Sequence, residues 1–308
     1  MKYIRDTFDF SVSEPSAVAL GKFDGIHRGH RCLLREIKKG EELGYKSVVF
    51  TFDRSPKSLS DPNAKVLLTN REKEQIFAEI GIDYVIECPF TEELRRMEPD
   101  AFLKFFTDRI NAKVIVTGTD FCFGYERKGT YRDLQKHEAE FGYRTKVMDK
   151  VQSEGLDISS SRIRALIGDA NLQEANLLLG YPYFMTSAVD HGNRFGHEMG
   201  IPTINQTPPA EKLLPPNGVY ASAVSVDGRT WYGATNIGQK PTTGEGQPLG
   251  VETHIFDFDS QIYGQEVKVA FLAYLREEKQ FASVEELRGQ IARDCDMARG
   301  ICEKCSLQ

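Results

Sequence analysis

Two histidines in a glycine-rich turn are the first residues of the sequence with an evident chemical use. Residues 21–30, GKFDGIHRGH, place His27 and His30 three positions apart, and residues spaced in this way share one face of a helix. Their imidazoles can donate hydrogen bonds to phosphate oxygens while charge moves onto a leaving group. A tight turn with two solvated histidines is the simpler alternative. Because the pair holds two of only six histidines in the chain, we predict that it is catalytic.

Two further segments carry groups that suit a phosphorylated ligand. Residues 158–164, ISSSRIR, combine hydroxyl donors with arginine, and charge-assisted hydrogen bonds from arginine bind phosphate well. On its own this segment fits a helix N-cap followed by a solvated basic turn. Residues 118–124, GTDFCFG, follow a predicted strand, and their two phenylalanines fit a core or a pocket lining equally well.

The elements that must position these groups follow from the hydrophobic pattern. From residue 16 to 151, short runs rich in Val, Ile and Phe alternate with segments of helical spacing, which is typical of βαβ units and a parallel sheet. The turn then lies at the C-terminal end of the first strand, where a helix N-terminus offers free N–H groups to phosphate. The predicted strands are 16–20, 46–52, 83–87, 113–118 and 144–148, and the predicted helices are 27–43, 70–80, 99–110 and 130–141.

The pattern changes near Gly180. Over the next hundred residues, short strands broken by Gly, Pro and Asn replace the amphipathic helices, as in an antiparallel barrel or sandwich. A closing helix over 284–304 is predicted from the capping box of Ser283 and Glu286. The predicted strands of this half are 219–226, 230–237, 251–258 and 266–275. We therefore predict two domains: an α/β domain with a Rossmann-like parallel sheet at 1–182, and a mainly antiparallel β-barrel domain with a C-terminal helix at 183–308.

Composition and charge argue against several classes of protein. Lys and Arg number 39 and Asp and Glu 45, so the net charge of −6 provides no field to hold a nucleic-acid backbone. No apolar run approaches the roughly 20 residues that cross a bilayer, and the first residues lack the hydrophobic core of a signal peptide. The six cysteines are scattered and are most simply reduced thiols. We expect a cytoplasmic protein with no nucleic-acid and no membrane partner.

Taken together, the N-terminal motifs resemble those of a known family. The segments at 27–30 and 158–164 resemble the HxGH and ISSTxxR signatures of the nucleotidyltransferase superfamily, with Ser161 where threonine is usual. GxFDGxHxGH and GxDFxFG together are similar to the FAD synthetase module of bacterial bifunctional riboflavin kinase/FAD synthetases. The resemblance implies a flavin contact for Phe123. It implies nucleotide-binding roles for Gly21, Phe23, Asp24, Gly25, His27, His30, Asp120, Ser160, Ser161 and Arg164.

The second half is similar to the riboflavin kinase region of the same family. Residues 200–205, GIPTIN, resemble its GFPTAN motif, and the segments at 236–242 and 251–254 resemble NIGxxPT and VExH. The resemblance implies that Glu252 is the general base. It also implies that Glu252, Arg276 and Arg299 contact the flavin. The implied nucleotide-binding residues are Gly192, Gly200, Pro202, Thr203, Asn205 and Asn236.

Thr203 and Asn205 are also the candidate ligands for magnesium. In an extended segment, residues two apart point to the same side of the chain. A hydroxyl and an amide carbonyl are hard ligands of the kind that Mg²⁺ accepts while it also binds substrate phosphates. In the alternative, these side chains form a hydrogen bond that ties down the loop near Pro202.

The resemblance implies two consecutive reactions. Riboflavin and ATP give FMN in the second domain, and FMN and a second ATP give FAD and pyrophosphate in the first, with Mg²⁺ needed in both. Two alternatives stay open: a chain that retains only one of the activities, and a non-catalytic flavin-binding regulator. His27, His30 and Glu252 favour turnover, because a regulator needs neither a base nor phosphate-stabilising imidazoles.

Overall fold

The chain divides into two compact units, Met1–Ser160 and Ser161–Gln308. The computed structural model describes residues 1–53, 61, 64–191, 200–239 and 249–306. The division at residue 160 precedes the sequence-based boundary at 182, because the last helix before that boundary packs against the barrel of the second unit. This helix is Leu172–Leu179, and its Asn176 donates a side-chain hydrogen bond to the Phe271 carbonyl oxygen at 3.0 Å.

The first unit contains a six-stranded parallel sheet with the strand order β1-β4-β3-β2-β5-β8. Its inner strands are nearly continuous apolar runs, as expected for strands covered on both faces. The predicted parallel α/β architecture is therefore confirmed. The strands are β1 (Lys2–Arg5), β2 (Val12–Leu20), β3 (Lys46–Phe52), β4 (Tyr84–Cys88), β5 (Ile110–Gly118) and β8 (Arg144–Met148). Two short hairpins add β6 (Cys122–Phe123) with β7 (Gly129–Thr130), and β9 (Gln152–Ser153) with β10 (Leu156–Asp157).

Helices connect these strands, and all except the short helix at Glu92–Arg95, which was not predicted, lie at or near the predicted positions. Thr69 and Glu72 form the predicted capping box, with reciprocal side-chain to backbone hydrogen bonds. The single helix predicted over 130–141 is divided at His137. The helices are α1 (Arg28–Lys39), α2 (Asn70–Ile80), α3 (Glu92–Arg95), α4 (Pro99–Thr107), α5 (Tyr131–Lys136) and α6 (Glu138–Phe141).

The strand order of the sheet predicts where a ligand binds. After β2 the chain adds β3 and β4 on one side, and it then returns to add β5 and β8 on the other side. Open α/β sheets bind ligands in the crevice outside the carboxyl ends of the strands at such a reversal. β2 ends at Leu20 and β5 ends at Gly118, so the two N-terminal motifs lie side by side at this crevice.

The second unit contains a closed antiparallel barrel with the strand order β11-β12-β15-β14-β13-β16, which confirms the predicted barrel. The barrel strands are β11 (Phe184–Asp190), β12 (Ile204–Gln206), β13 (Gly218–Val226), β14 (Arg229–Gln239), β15 (Leu249–Ile255) and β16 (Glu266–Arg276). The helices of this unit are α7 (Ser160–Gly168), which begins at the unit boundary, α8 (Leu172–Leu179) and α9 (Val284–Ser306). Among the described residues, no helix combines the length and the apolar composition needed to span a bilayer.

Helix α9 covers part of the outer face of the barrel. Ala298 and Cys302 of the helix pack in one cluster with Ala221, Phe256 and Leu272. Inside the barrel, the hydroxyl groups of Ser222, Thr235 and Thr253 form a buried chain of hydrogen bonds at 2.6 and 2.9 Å. Side chains alternate between the two faces of a strand, so the neighbours of these threonines along β14 and β15 point outward.

Candidate active sites

The glycine-rich turn of the first unit is held by buried apolar side chains. Phe23 and Ile26 are fully buried, and the Ile26 N–H donates to the Phe23 carbonyl oxygen at 3.2 Å. The Phe23 ring packs against Phe77 and His30, with centroid distances of 5.8 and 5.2 Å. The buried Phe23 ring therefore limits the positions that the His30 ring can take. Gly21, at the start of the turn, donates its N–H to the Phe50 carbonyl oxygen at 3.3 Å.

His27 is the N-cap residue of helix α1. Its Nδ1 accepts a hydrogen bond from the His30 N–H at 3.4 Å, so in the neutral ring the proton lies on Nε2. The His27 and His30 rings stack, with centroids 3.7 Å apart and an interplanar angle of 18°. A Cβ at Gly29 would lie 3.1 Å from two His27 ring atoms, so a larger residue between the histidines would crowd the His27 ring. The H-x-G-H spacing thus builds a stacked imidazole pair at a helix N-terminus.

Burial keeps both imidazoles neutral. It lowers the pKa of His27 to about 4, although the nearby Asp120 carboxylate opposes this shift. Burial and the neighbouring His27 also lower the pKa of His30 well below its usual range. The buried Nδ1 atom of His30 has no hydrogen-bond partner among the described residues. The pair can therefore donate N–H groups to an anionic ligand without carrying a positive charge beforehand.

The low pKa of His27 predicts a specific pH dependence of stability. The unfolded chain binds a proton at His27 near pH 6.5, whereas the folded chain does so only near pH 4. The contribution of His27 to stability is therefore complete above about pH 6.5 and is lost progressively as the pH falls towards 4. Urea unfolding of the wild type and of His27→Asn between pH 7 and 5 should give a shallower loss of the free energy of unfolding in the variant. Equal slopes would contradict the assigned pKa.

Two other predicted residues fasten the turn. One carboxylate oxygen of Asp24 accepts a hydrogen bond from the Leu67 N–H at 2.9 Å. The Asp24 carbonyl oxygen accepts another from the Ser160 hydroxyl at 2.8 Å. Ser160 is the last residue of the first unit, so it connects the second signature to the first. Gly25 lies between Asp24 and the buried Ile26, with a positive φ of 85°.

Asp120 and Phe123 follow β5 at the same crevice. Asp120 is exposed and lies 3.7 Å from the ammonium group of Lys150, which also pairs with Asp157 at 3.0 Å. Phe123 is buried in the core, and its ring stacks on the half-buried ring of Phe121 with centroids 5.8 Å apart. Of the two phenylalanines, Phe121 is therefore the more accessible from this edge. The sequence did not single out Lys150, because an isolated lysine after a strand carries no signature.

Ser161 and Arg164 lie on helix α7 in the second unit. Between them, Arg162 forms an ion pair with Glu174 at 2.7 Å, which links α7 to α8. Arg162 therefore holds the two helices together, and Arg164 is the arginine that occupies the position of the signature. The predicted phosphate contacts of Ser161 and Arg164 stay predictions.

Several of the candidate kinase residues lie in one row across the outer face of the barrel. Asn205 on β12 is opposite Glu252 on β15, and Glu252 is opposite Asn236 on β14. Directly opposed residues of antiparallel strands point to the same face, so these three side chains project together. The row continues through Val219 to Arg276. The barrel thereby brings Asn205 into one row with Glu252 and Asn236, which lie 47 and 31 positions further along the sequence.

Thr203 and Asn205, the predicted magnesium ligands, carry a hydroxyl and an amide carbonyl, which are oxygen donors of the kind that Mg²⁺ accepts. Neither side chain forms a hydrogen bond with another described residue, so the alternative in which they tie down the loop has no such contact to support it. The loop is instead held through the Pro202 carbonyl oxygen, which lies 2.8 Å from Nδ1 of His254. Asn205 lies directly opposite Glu252, so its amide is next to this carboxylate on the outer face of the barrel.

The segment after β16 covers one end of this row. The Glu278 carboxylate accepts hydrogen bonds from the side-chain amides of Asn236 at 3.4 Å and Asn217 at 3.2 Å. A Cβ at Gly238 would overlap the Glu278 carboxylate, so a larger residue there would force this side chain to move. Glu278 therefore engages the amide that we assign to nucleotide binding.

The two arginines predicted to contact flavin are both held by aspartates. Arg276 forms a bidentate pair with Asp294 on α9 at 2.6 to 3.0 Å, and the two side chains are only 14% and 3% exposed. Arg299 pairs with Asp257 at 2.9 Å in a more exposed position and lies over the Phe256 ring. Asp294 orients Arg276. It could not be predicted from the sequence, because one acidic residue on an amphipathic helix has no distinguishing pattern.

Part of the predicted kinase site lies outside the described residues. This part comprises Gly192 and residues 240–242 of the segment at 236–242. Gly200 is described, and it precedes Pro202 with a positive φ of 74°.

Comparisons with known proteins agree with both halves of this description. A family model described as FAD synthetase matches residues 9–162, and one described as riboflavin kinase matches residues 179–302. These matches place the chain among the transferases that combine an FAD synthetase region with a riboflavin kinase region.

Curated relatives resemble the chain over nearly its whole length. A bifunctional riboflavin kinase/FMN adenylyltransferase from Escherichia coli K12 is 34% identical over 96% of this chain and 96% of its own length. A protein of the same name from Listeria monocytogenes is 33% identical over 90% of this chain and 89% of its own length. Another from Pseudomonas fluorescens is 31% identical over 98% of both chains. The chain belongs to the family of bifunctional riboflavin kinase/FMN adenylyltransferases.

A solved structure shares the fold of the whole chain. The crystal structure of a protein from Streptococcus pneumoniae, named as a macrolide-efflux protein, has a TM-score of 0.88 and 32% identity. The match covers 97% of this chain and 99% of that one. The likeness concerns the fold, and the efflux activity in the name belongs to that protein alone.

Proposed function

We propose that the chain makes both flavin nucleotides, and that residues 1–182 and residues 183–308 each carry phosphate-directed groups for one step. The barrel phosphorylates riboflavin with ATP to FMN, and the parallel-sheet unit adenylylates FMN with ATP to FAD. The observation that carries this proposal is the row in which Glu252 lies between Asn205 and Asn236, in a chain that also holds the His27–His30 pair. A one-activity enzyme or a regulator would not need both arrangements.

In the first unit, the imidazole pair stabilises the transition state of adenylyl transfer. A phosphate oxygen of FMN forms a bond to the α-phosphorus of ATP, and the bond between that phosphorus and the bridging oxygen of pyrophosphate breaks. The His27 Nε2–H and the His30 ring can donate to oxygens on which negative charge accumulates. Because both rings are neutral and already positioned, they need little rearrangement as the charge develops. The N-terminus of helix α1 adds its own favourable dipole.

In the second unit, Glu252 acts as the general base. Its carboxylate accepts the proton of the riboflavin 5′-hydroxyl while that oxygen forms a bond to the γ-phosphorus, and ADP leaves with the electron pair of the broken bond. Asn236 binds the nucleotide on one side of the base, and Thr203 and Asn205 would hold Mg²⁺ on the other. When bound with ATP, Mg²⁺ screens the charge of the phosphates.

Several finer assignments belong to the same proposal. We assign residues 1–182 to FMN adenylylation and residues 183–308 to riboflavin phosphorylation. The predicted nucleotide contacts of Gly21, Asp24 and Asp120, and separately those of Ser161 and Arg164, are assigned to the adenylylation step. The use of ATP in both steps supports a role for Mg²⁺ in both. The scattered cysteines support a cytoplasmic location.

Chromatographic separation of flavins tests the proposed function directly. The purified full chain is incubated with riboflavin, ATP and Mg²⁺, and riboflavin, FMN and FAD are measured over time. We expect FMN to appear first and FAD to follow. Accumulation of FMN alone would favour the chain with one activity, and binding of riboflavin without any product would favour the regulator.

Replacement of Asn205 by alanine should weaken the kinase step selectively. The variant should fold normally, because the Asn205 side chain forms no hydrogen bond with the described residues. The concentrations of Mg²⁺ and ATP needed for FMN formation should rise, since a metal ligand is lost. FAD formation from supplied FMN should not change. A collapse of the melting temperature, with wild-type Mg²⁺ dependence in the remaining kinase activity, would show that Asn205 is structural.

A further inference from the structure

Among the described residues, His254 makes a side-chain hydrogen bond that holds the start of the nucleotide segment, residues 202–205. Its Nδ1 lies 2.8 Å from the carbonyl oxygen of Pro202, directly before the candidate metal ligand Thr203. We propose that His254 is a positioning residue of the kinase site, which fixes Pro202 and thereby orients Thr203 and Asn205 for ATP and its metal. This inference rests on the proposed kinase function of the second unit.

The segment requires an external tie because its own strand is very short. β12 contains only three residues, and its pairing with β15 begins at Ile204 opposite Thr253. Pro202 and Thr203 precede this ladder, and proline has no N–H with which to extend it. The side chains of Thr203 and Asn205 provide no hydrogen bond to the described residues either. The contact with His254 therefore holds the Pro202 carbonyl oxygen at a point that the strand ladder does not reach.

The position of His254 suits this task. It lies two residues after Glu252 on β15, so the two side chains share the outer face of the barrel. The ring meets Phe256 edge to face, with a centroid distance of 5.7 Å and an angle of 69°, which limits its rotation. A carbonyl oxygen can only accept, so Nδ1 must carry the proton in this contact.

This arrangement couples the base to the nucleotide segment. Glu252 and His254 are carried by one strand, and His254 transmits the position of that strand to Pro202. Loss of the contact leaves the carboxylate and its proton transfer in place and loosens the groups that bind the nucleotide. The expected effect is therefore on the KM for ATP in FMN formation, with little effect on kcat.

Two matched variants test the proposal. In His254→Leu the donor is lost, whereas in His254→Asn the side-chain amide nitrogen lies close to the position of Nδ1 and can still donate to Pro202. We expect the leucine variant to raise the KM for ATP by about 3- to 10-fold, the usual effect of one hydrogen bond, with kcat within about 2-fold of wild type. The asparagine variant should restore the KM. If the leucine variant is unfolded, His254→Gln replaces it, because its longer chain moves the amide away from the Nδ1 position.

A second measurement does not depend on turnover. Hydrogen exchange of the ligand-free chain should be faster at the Thr203 amide in the leucine variant and close to wild type in the asparagine variant. Equal KM values in all three proteins, equal defects in leucine and asparagine variants, or a loss of kcat at unchanged KM would each overturn the positioning role. Failure of the wild type itself to form FMN would instead refute the proposed kinase function.

Discussion

FAD formation from FMN is expected to fall by about 10²- to 10³-fold when His27 is replaced by asparagine, while FMN formation from riboflavin stays at the wild-type level. The size of the loss is that found when one preorganised donor to a developing oxyanion is removed. Asparagine is among the best N-cap residues, so its side-chain oxygen can still accept the His30 N–H that His27 accepts at 3.4 Å. The helix cap is kept, and the Nε2 donor is lost.

Companion variants separate the cap from the catalytic donor. His27→Ala and His30→Ala should lose FAD formation by two or more orders of magnitude, each with FMN formation intact. His27→Ala should also lower the melting temperature, because it removes the cap, whereas His27→Asn should not. An asparagine variant that still makes FAD at the wild-type rate would refute the catalytic role of His27. Equal losses of both activities would refute the assignment of one activity to residues 1–182 and the other to residues 183–308.

Replacement of Glu252 by glutamine should reduce riboflavin phosphorylation by about 10²-fold or more, as expected for loss of a general base. The amide keeps the shape of the side chain in the row between Asn205 and Asn236, so the variant should still bind riboflavin. FAD should form normally from supplied FMN. Steady-state rates of FMN and FAD formation, together with fluorescence titration of riboflavin, measure the three expectations.

The same substitution at a distant glutamate provides the control for this variant. Glu285→Gln changes an exposed glutamate in the first turn of helix α9 and should leave both activities unchanged. If Glu252→Gln retained near-normal kinase turnover, another group would have to accept the proton. If it lost riboflavin binding as well, the residue would serve to hold the flavin rather than to remove the proton.

The long elements of the fold were predictable because their patterns are strong. β3 and β8 have the predicted bounds, and α2 begins at the capping box of Thr69. The missed elements are short or carry little pattern. β1 has four residues at the edge of the sheet, and β12 has three, which is too few to show a period.

The residues of the sites were predictable where a local spacing determines the geometry. His27 and His30 form a stacked pair because three helical positions and an intervening glycine bring them together. The contacts of His254 with Pro202 and of Asp294 with Arg276 depend on barrel register and on the docking of α9. No single segment of the sequence contains that information.

The domain boundary shows the same limit. The change of composition near Gly180 marks where barrel strands begin, and β11 starts at Phe184. The compact units nevertheless divide at residue 160, because α8 packs through Asn176 against Phe271. Composition reports the type of an element, whereas packing decides the unit to which the element belongs.

A mixing experiment tests the central claim most directly, namely that two separate sites perform consecutive steps. His27→Asn and Glu252→Gln are each incubated with riboflavin, ATP and Mg²⁺, alone and together, and the flavins are separated. Alone, the first variant should stop at FMN and the second should leave riboflavin unchanged. The mixture should make FAD, because FMN released by the intact kinase site of one chain reaches the intact adenylylation site of the other. A mixture that accumulates FMN without FAD, although Glu252→Gln converts supplied FMN, would contradict the account.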